Sequence, residues 1–403
     1  MRMRTQIREK GGMWRRIEVR NYRSIERVSV DVAPFTVVVG PNGSGKSNFA
    51  DAFVFARDIA NDASTAVQNR GGIVGVRRWR PSRPADVTID VKVAASREGL
   101  DTDFTRHSFT LASKREGKWE FKREVIEELN DGNPMFVVER ERGKATLRRK
   151  SGNRWISNAL SVPETTSAML TVRQVIVFPR LAFGLRQVRR YRLNPEAMRQ
   201  PQLATERSEL DESGSNLAAV IRVLRQKPQW DSVLLAMRRL VPGLLDIREG
   251  ELGRYLGVQF FQQQMGGERA EFAATEMSEG AIRALGILIA AQQISRTHLV
   301  ILEEPEVSIH PGAAAVLFEF LKQASRRGSI LLTTHSAELL DAAKDEEILV
   351  CDYREGVTHV GPLESEQRRL VKEGLLSAAE LMRSEPLRIE GMPPEVINPE
   401  EAR

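Results

Sequence analysis

The chain has 403 residues, 28% of them charged, a net charge of +6 and a single cysteine. Such a length suffices for a sizeable core and two or three sub-domains. The lone thiol, Cys351, excludes an internal disulfide, and no His/Cys grouping has metal-site spacing, so a reducing, cytoplasmic setting is expected. No segment reaches the roughly 18 to 20 apolar residues needed to span a bilayer, and no apolar run follows the basic start, so neither a secreted nor a membrane-embedded chain is expected.

Residues 1–12 read as a disordered extension, because strand patterning begins only at "MWRRIEVRNYRSI". From 13 to 40 the chain reads as strands: "RRIEVRNY" and "VSVDVA" alternate, and "FTVVVG" is the continuous apolar run of a strand covered on both faces. "GPNGSGKS" follows, and then "NFADAFVFARDIAND", with Phe49, Phe53, Val54 and Ile59 at helical spacing. Short alternating segments from Val87 to about Lys150, separated by Gly, Asp and Asn turns, predict a mostly antiparallel lobe.

Two arginine-rich stretches stand out. One is "RRWRPSRP", Arg77 to Pro84, around Trp79; the other carries Arg173, Arg180, Arg186, Arg189, Arg190 and Arg192 without an acid. Each fits either a nucleic-acid partner or a solvated face. Residues 196–245 read as helical, with Ser215 as an N-cap. After a strand-like "YLGVQFFQQ" come a helix opening Ser-x-Gly ("MSEGAIRALGILIAAQQIS"), a buried strand ending in acids ("HLVILEEPE") and another ending in histidine ("SILLTTHS"), an alternation that implies parallel α/β architecture. From about Arg368 a charged, then Pro-rich tail is expected to be partly disordered.

Gly40 to Ser47 satisfies the P-loop pattern. Glycines let backbone N–H groups wrap a phosphate, the helix N-terminus favours negative charge, Lys46 reaches the β and γ phosphates, and Ser47 offers a hydroxyl to Mg²⁺. Such a loop needs carboxylates on the far side of the nucleotide, which "LVILEEPE" supplies: Glu303 is assigned to the metal and Glu304 to the attacking water. His335 ends a strand at the carboxyl edge of the sheet, where side chains face the ligand crevice, and is read as a γ-phosphate sensor.

"GPNGSGKS", "MSEGAIR", "LEEPEVSIHP" and "TTHS", in that order and with a large insertion after the first, resemble the ATP-binding cassette ATPases of the SMC, RecF and OLD group. "RRYRLNPEAMRQPQ" with "ESGSNLAAVI" also resembles soluble bacterial ATPases encoded beside OLD-type nucleases in defence islands. The resemblance implies an α/β P-loop head with a mostly parallel core sheet, an antiparallel β lobe and an inserted mixed or helical region. The expected partition is 13–95 for the first part of the head, 96–170 for the lobe, 171–270 for the insertion, 271–365 for the second part of the head and 366–403 for the tail. It further implies ATP and Mg²⁺ as cofactors, with Gly40, Pro41, Asn42, Gly43, Ser44, Gly45, Lys46, Ser47 and Asn48 binding nucleotide. Two heads would sandwich two ATP molecules, Ser278 and Gly280 of one capping the γ phosphate held by the other. Glu279 replaces the glycine of transporter-type cassettes, an acid beside a phosphate for which Arg283 is the nearby compensating charge. "VSIHP" would be a subunit-crossing loop with Ser308 and His310 near the axis. A Mg²⁺-sensing glutamine is expected before Ser278, with Gln174 and Gln187 as candidates.

The function expected from these readings is an ATPase whose ATP-dependent dimerisation senses or acts on DNA, or controls a separately encoded effector or nuclease, in antiphage defence. A RecF-like repair ATPase is the nearest alternative. A transporter nucleotide-binding subunit fits poorly with the insertion and the Glu279 signature. An SMC-like tether needs a heptad-patterned arm that the Gly- and Pro-punctuated insertion does not supply. About 70 residues follow "TTHS", too few for a Toprim nuclease domain, and Asp101 to Asp103 is read as turn chemistry.

Overall fold

Alternate residues of the central strands enter two different cores. In Phe35–Val39, residues Phe35, Val37 and Val39 face one cluster and Val38 the other; Val300 and Leu302 likewise oppose Leu299 and Ile301, and Ile330 and Leu332 oppose Leu331. Strands buried on both faces require helical cover on both sides. The helix Lys46–Gln68 supplies one side through Phe49, Phe53 and Ile59. The helices Leu217–Leu224, Gln229–Leu240, Glu279–Gln292 and Pro311–Ala324 supply the other. The computed structural model describes residues 13–80, 84–94, 103–130, 132–152, 154–175, 185–204, 207–295, 298–341 and 343–393.

Five strands run parallel in the order Val188–Tyr191, Leu299–Glu303, Ser329–Thr334, Phe35–Val39 and Ile348–Arg354. Their carboxyl ends share one edge, where ligand crevices of α/β sheets form. Beyond Ile348–Arg354 the sheet does not stop. It continues through Val357–Pro362, Ile25–Asp31 and Met13–Tyr22, and then as an antiparallel meander from Val87–Ala94 to Arg154–Ser161, making 14 strands among the described residues. The antiparallel lobe is thus the outer part of the same sheet. The boundary expected after residue 95 falls between Val87–Ala94 and Phe104–Ser113, which pair from Val87 with Leu111 to Ala94 with Phe104. A smaller antiparallel sheet, from Gln202–Leu203, Leu244–Leu252, Tyr255–Gln263 and Arg269–Ala273, lies within the 171–270 region.

Much of the expected tail is folded. Residues 365–393 form the helices Ser365–Lys372 and Ala378–Ser384 and return to the core through Ala378, Leu381 and Ile389. Their charge masked one buried amide: Gln367 donates to Glu385 Oε1 and the Pro386 carbonyl, both at 3.0 Å, and accepts from Arg388 N at 2.8 Å. Residues 1–12 and 394–403 lie outside the described residues.

The meander is pinned by a fully buried polar cluster. Glu124 accepts from His107 Nε2 at 2.9 Å, Ser167 Oγ at 2.5 Å and Ala168 N at 2.8 Å. Arg140 lies 3.8 Å from Glu124 and donates to the carbonyls of Pro163, Glu164 and Thr166, so one ion pair fixes the chain leaving the last strand. A buried pair that loses one partner leaves the other charge uncompensated. Arg140→Met should therefore destabilise the protein by roughly 3–5 kcal/mol in chemical denaturation; a loss below about 1 kcal/mol, the size of an average substitution, would contradict this anchoring role.

Candidate nucleotide-binding site

The loop Gly40–Ser47 is held from beneath by Thr358 and Cys351, 314 and 307 positions from Ser44, with Ser24 bracing Thr358. Thr358 Oγ1 donates to the Ser44 carbonyl at 2.9 Å, Ser24 Oγ lies 2.8 Å from Thr358 Oγ1, and Asn48 Nδ2 donates to Ser24 Oγ at 2.7 Å. Gly45 sits at φ +101°, and a Cβ there would stand 2.1 Å from Thr358 Oγ1. A Cβ on Gly40 would stand 2.0 Å from the Cys351 carbonyl oxygen. Two glycines of the motif are thus required by close approach of the backbone to its own chain. Burial pushes the Cys351 thiol up to about 11, so this cysteine is a packing residue. Pro41, Asn42 and Gly43 are exposed at the loop's crest. Lys46 Nζ donates to the Gly40 and Pro41 carbonyls at 2.8 and 2.9 Å.

Ser47, at the first turn of the helix, donates to Glu303 Oε2 at 2.7 Å. This brings the loop and the acidic strand end together across 256 positions of sequence. Glu303 also takes a two-pronged contact from Arg192, Nε to Oε1 at 2.8 Å and Nη2 to Oε2 at 3.0 Å. One helical turn beyond Ser47, the buried Asp51 meets Arg23, Arg70 and Arg190, each at 3.0 Å, and Tyr22 Oη at 2.5 Å. Burial works against the charged Asp51, but the Arg70 hydrogen bond and charge, then Arg23, outweigh it and hold the carboxyl below its ordinary range. Arg190 reaches Glu212 as well, at 2.6 Å, and comes within 3.9 Å of Glu303. A hydroxyl and a carboxylate are hard oxygen donors of the sort Mg²⁺ takes when phosphates and water complete its shell. Among the described residues no group of three or more His, Cys, Asp or Glu could hold a metal alone. The donor set therefore fits a metal that arrives with a phosphate ligand.

Glu304 adopts φ +46°, a left-handed conformation costing a non-glycine residue roughly 1–3 kcal/mol, at the turn where the chain leaves its strand. Its N–H donates to the Thr333 carbonyl at 2.9 Å, which fixes it beside the histidine strand. His335 Nδ1 is 3.8 Å from both Glu304 Oε1 and Glu306 Oε1. Glu306 accepts from Thr334 Oγ1 at 2.5 Å and His335 N at 3.3 Å, making it the brace that orients the histidine end. Ser278 caps its helix by accepting from Ala281 N at 3.2 Å and is exposed. Gly280 packs on the Ser308 backbone, where a Cβ would stand 2.4 Å from the carbonyl oxygen. Glu279 accepts from Ser308 Oγ at 3.3 Å within the same chain. Burial lowers the pKa of Arg283 against the nearby charges of Glu279, Glu306 and Glu304. His310 caps the next helix, its Nδ1 accepting from Gly312 N at 3.2 Å.

The arginines receive a different assignment from the one their sequence suggests. Arg190 and Arg192 belong to the site; Arg189 pairs with Glu209 and Arg186 donates to Asn61 at 3.1 Å. Arg78 and Arg80 both pair with Glu26, while Trp79 is 79% exposed. Arg180, residues 81–83, Asp101 and the side chains of Arg173 and Gln174 lie outside what is described. Gln187 sits at the wrong end of its strand for a metal: it contacts His298, at the amino end of Leu299–Glu303, about 15 Å of strand away from Glu303. Sequence reading also passed over Asp51, Arg70 and Glu306. Of these only Glu306 carried a local signal, as the third acid of "EEPE".

An α/β P-loop head with an acidic strand end beside the loop is the class that fold and site define, and the comparisons agree. Two solved structures share the fold: an Smc head bound to the C-winged helix domain of ScpA, at TM-score 0.55 and 15% identity over 89% of this chain and 99% of that one, and an Smc head with an extended coiled coil bound to the C-terminal domain of ScpA from Pyrococcus furiosus, at 0.52 and 13% over 90% and 99%. A chromosome partition protein Smc of Methanocaldococcus jannaschii is 51% identical over 75 residues, 18% of this chain and 6% of that relative's length. Residues 35–341, more than half of the chain, match the family described as "AAA domain, putative AbiEii toxin, Type IV TA system", and the chain belongs to it.

The Asp51 network yields a stability test. Asp51→Asn removes the counter-charge of three arginines and should cost roughly 3 kcal/mol at pH 7. Because the folded Asp51 pKa is lowered, its contribution is complete above about pH 4 and is lost as pH falls through the folded value. The stability gap between wild type and Asp51→Asn, measured by urea unfolding, should narrow below pH 4; equal stability at pH 7 would contradict the network's role.

Proposed function

We propose that this protein is an ATPase that binds ATP with Mg²⁺ between two copies of itself and uses ATP-dependent dimerisation to control a separately encoded effector or nuclease in antiphage defence, in the cytoplasm. The observation that carries the reading is the 2.7 Å contact between Ser47 and Glu303, which joins phosphate loop and acidic strand into one crevice. Lys46 and the loop N–H groups hold the phosphates, and Ser47 and Glu303 hold the metal, which when bound neutralises phosphate charge. Glu304, at the strand end and next to His335, orients the attacking water and takes its proton. His335 reads the γ phosphate.

Ser278 and Gly280 act on the nucleotide of the partner copy. The start of their helix is exposed, and a capped helix N-terminus attracts anions. Glu279, which would repel a phosphate, is turned instead toward Ser308 of its own chain. The defence setting draws on the words "putative AbiEii toxin, Type IV TA system" in the family's description. Sensing or acting on DNA stays part of this reading; of the arginines that suggested it, Arg78, Arg80, Arg186, Arg189, Arg190 and Arg192 make contacts within the chain.

Lys46→Ala should weaken nucleotide binding by roughly 100-fold or more, as expected when the phosphate cation is lost. Glu304→Gln should keep binding, lower turnover by roughly 100-fold or more and elute as a dimer with ATP in size-exclusion chromatography. A Glu304→Gln protein that stays monomeric in saturating ATP and Mg²⁺ would overturn the sandwich.

A further inference from the structure

Arg192 occupies the carboxylate that the metal needs. Its two-pronged pair uses both oxygens of Glu303, and Oε2 is shared with the Ser47 hydroxyl. Mg²⁺ demands an oxygen at about 2.0–2.1 Å and near-octahedral space around it. A guanidinium seated on the same oxygens blocks that approach and repels the cation. Resting on the reading of this crevice as an ATP–Mg²⁺ site, we propose that Arg192 is a built-in competitor of Mg²⁺ for Glu303, which must swing off the carboxylate before the metal and its nucleotide can seat.

Two arginines approach Glu303, and their surroundings decide which one moves. Arg190 is 16% exposed, tied to the buried Asp51 and to Glu212, and stands 3.9 Å from Glu303. It is a fixed part of the network under the helix. Arg192 is 50% exposed, and its side-chain hydrogen bonds go to Glu303. Swinging into solvent costs it that pair and little packing. The parallel register sets Tyr191 opposite Leu302, so the backbone of Arg192 stays beside that of Glu303 when its side chain turns away. The competitor therefore stays tethered at the metal position and returns when the metal leaves.

The test is a Mg²⁺ titration of nucleotide binding, read by the fluorescence of a mant-labelled, non-hydrolysable ATP analogue, on the full chain as wild type, Arg192→Gln and Arg192→Lys. Folding is checked by circular dichroism, and binding is also measured in EDTA. Removing the competitor should lower the Mg²⁺ midpoint; the half-exposure of Arg192 keeps the shift to roughly three- to tenfold for Arg192→Gln. Arg192→Lys, which keeps the charge but loses the fork, should move the midpoint the same way by less, and it stands in if the glutamine variant fails to fold. A midpoint that is unchanged or raised in the folded variants overturns the proposal while leaving the ATPase reading intact. A wild type that binds no nucleotide with or without Mg²⁺ overturns both.

Discussion

The parallel register of five strands is the constraint on which the site depends. Because Val188–Tyr191, Leu299–Glu303, Ser329–Thr334 and Phe35–Val39 run the same way in adjacent positions, Arg192, Glu303, His335 and Gly40 emerge at one sheet edge. Each strand is buried on both faces by helices, so a register slip would turn apolar residues of one core into the other and is strongly opposed. The positions of the reactive groups are thereby fixed by apolar burial, with no need for strength in their own contacts. That division suits a site in which Glu304 holds a left-handed conformation that it would not choose alone.

Charge is arranged around this edge in two tiers. Beneath the helix, Asp51 with Arg23, Arg70, Arg190 and Tyr22 forms a buried network that ties the helix to strands on either side of it. At the surface of the crevice, Glu303 is shared by Ser47 and Arg192, while Glu306 braces Thr334 and His335. The segment after Arg192 links the tiers to the helix that begins at Ser278. Asn194 caps a short helix, Pro195–Arg199, whose Arg199 donates to the Met277 carbonyl at 2.5 Å, one residue before Ser278. A change at Glu303 and a change at the exposed helix start thus share one short piece of chain.

What was legible in the sequence is what is written in adjacent residues. "GPNGSGKS", the acids of "LEEPE" and the histidine of "TTHS" carry their chemistry locally, and buried apolar runs announce parallel strands. The partners that define the site were not legible. Arg190 and Arg192 read as part of a basic run because their carboxylates, Asp51 and Glu303, lie 139 and 111 positions away. The support of the loop by Thr358 and Cys351 depends on pairing across almost the whole chain. The antiparallel lobe was foreseen, but its continuity with the central sheet was not, since alternation gives a strand's face and never its neighbour. The helices after residue 365 escaped because a charged stretch can still dock through a few apolar side chains and one buried amide.

The central claim is that the crevice is completed by the Ser278 edge of a second copy. Mixing a chain carrying Asn42→Cys with one carrying Ser278→Cys tests it directly, because both positions are exposed and the native Cys351 is buried. Under a short bifunctional thiol reagent, the account predicts a cross-linked heterodimer that forms with ATP and Mg²⁺ and is absent without nucleotide. A cross-link of equal yield with and without ATP, or none in either case, would contradict it.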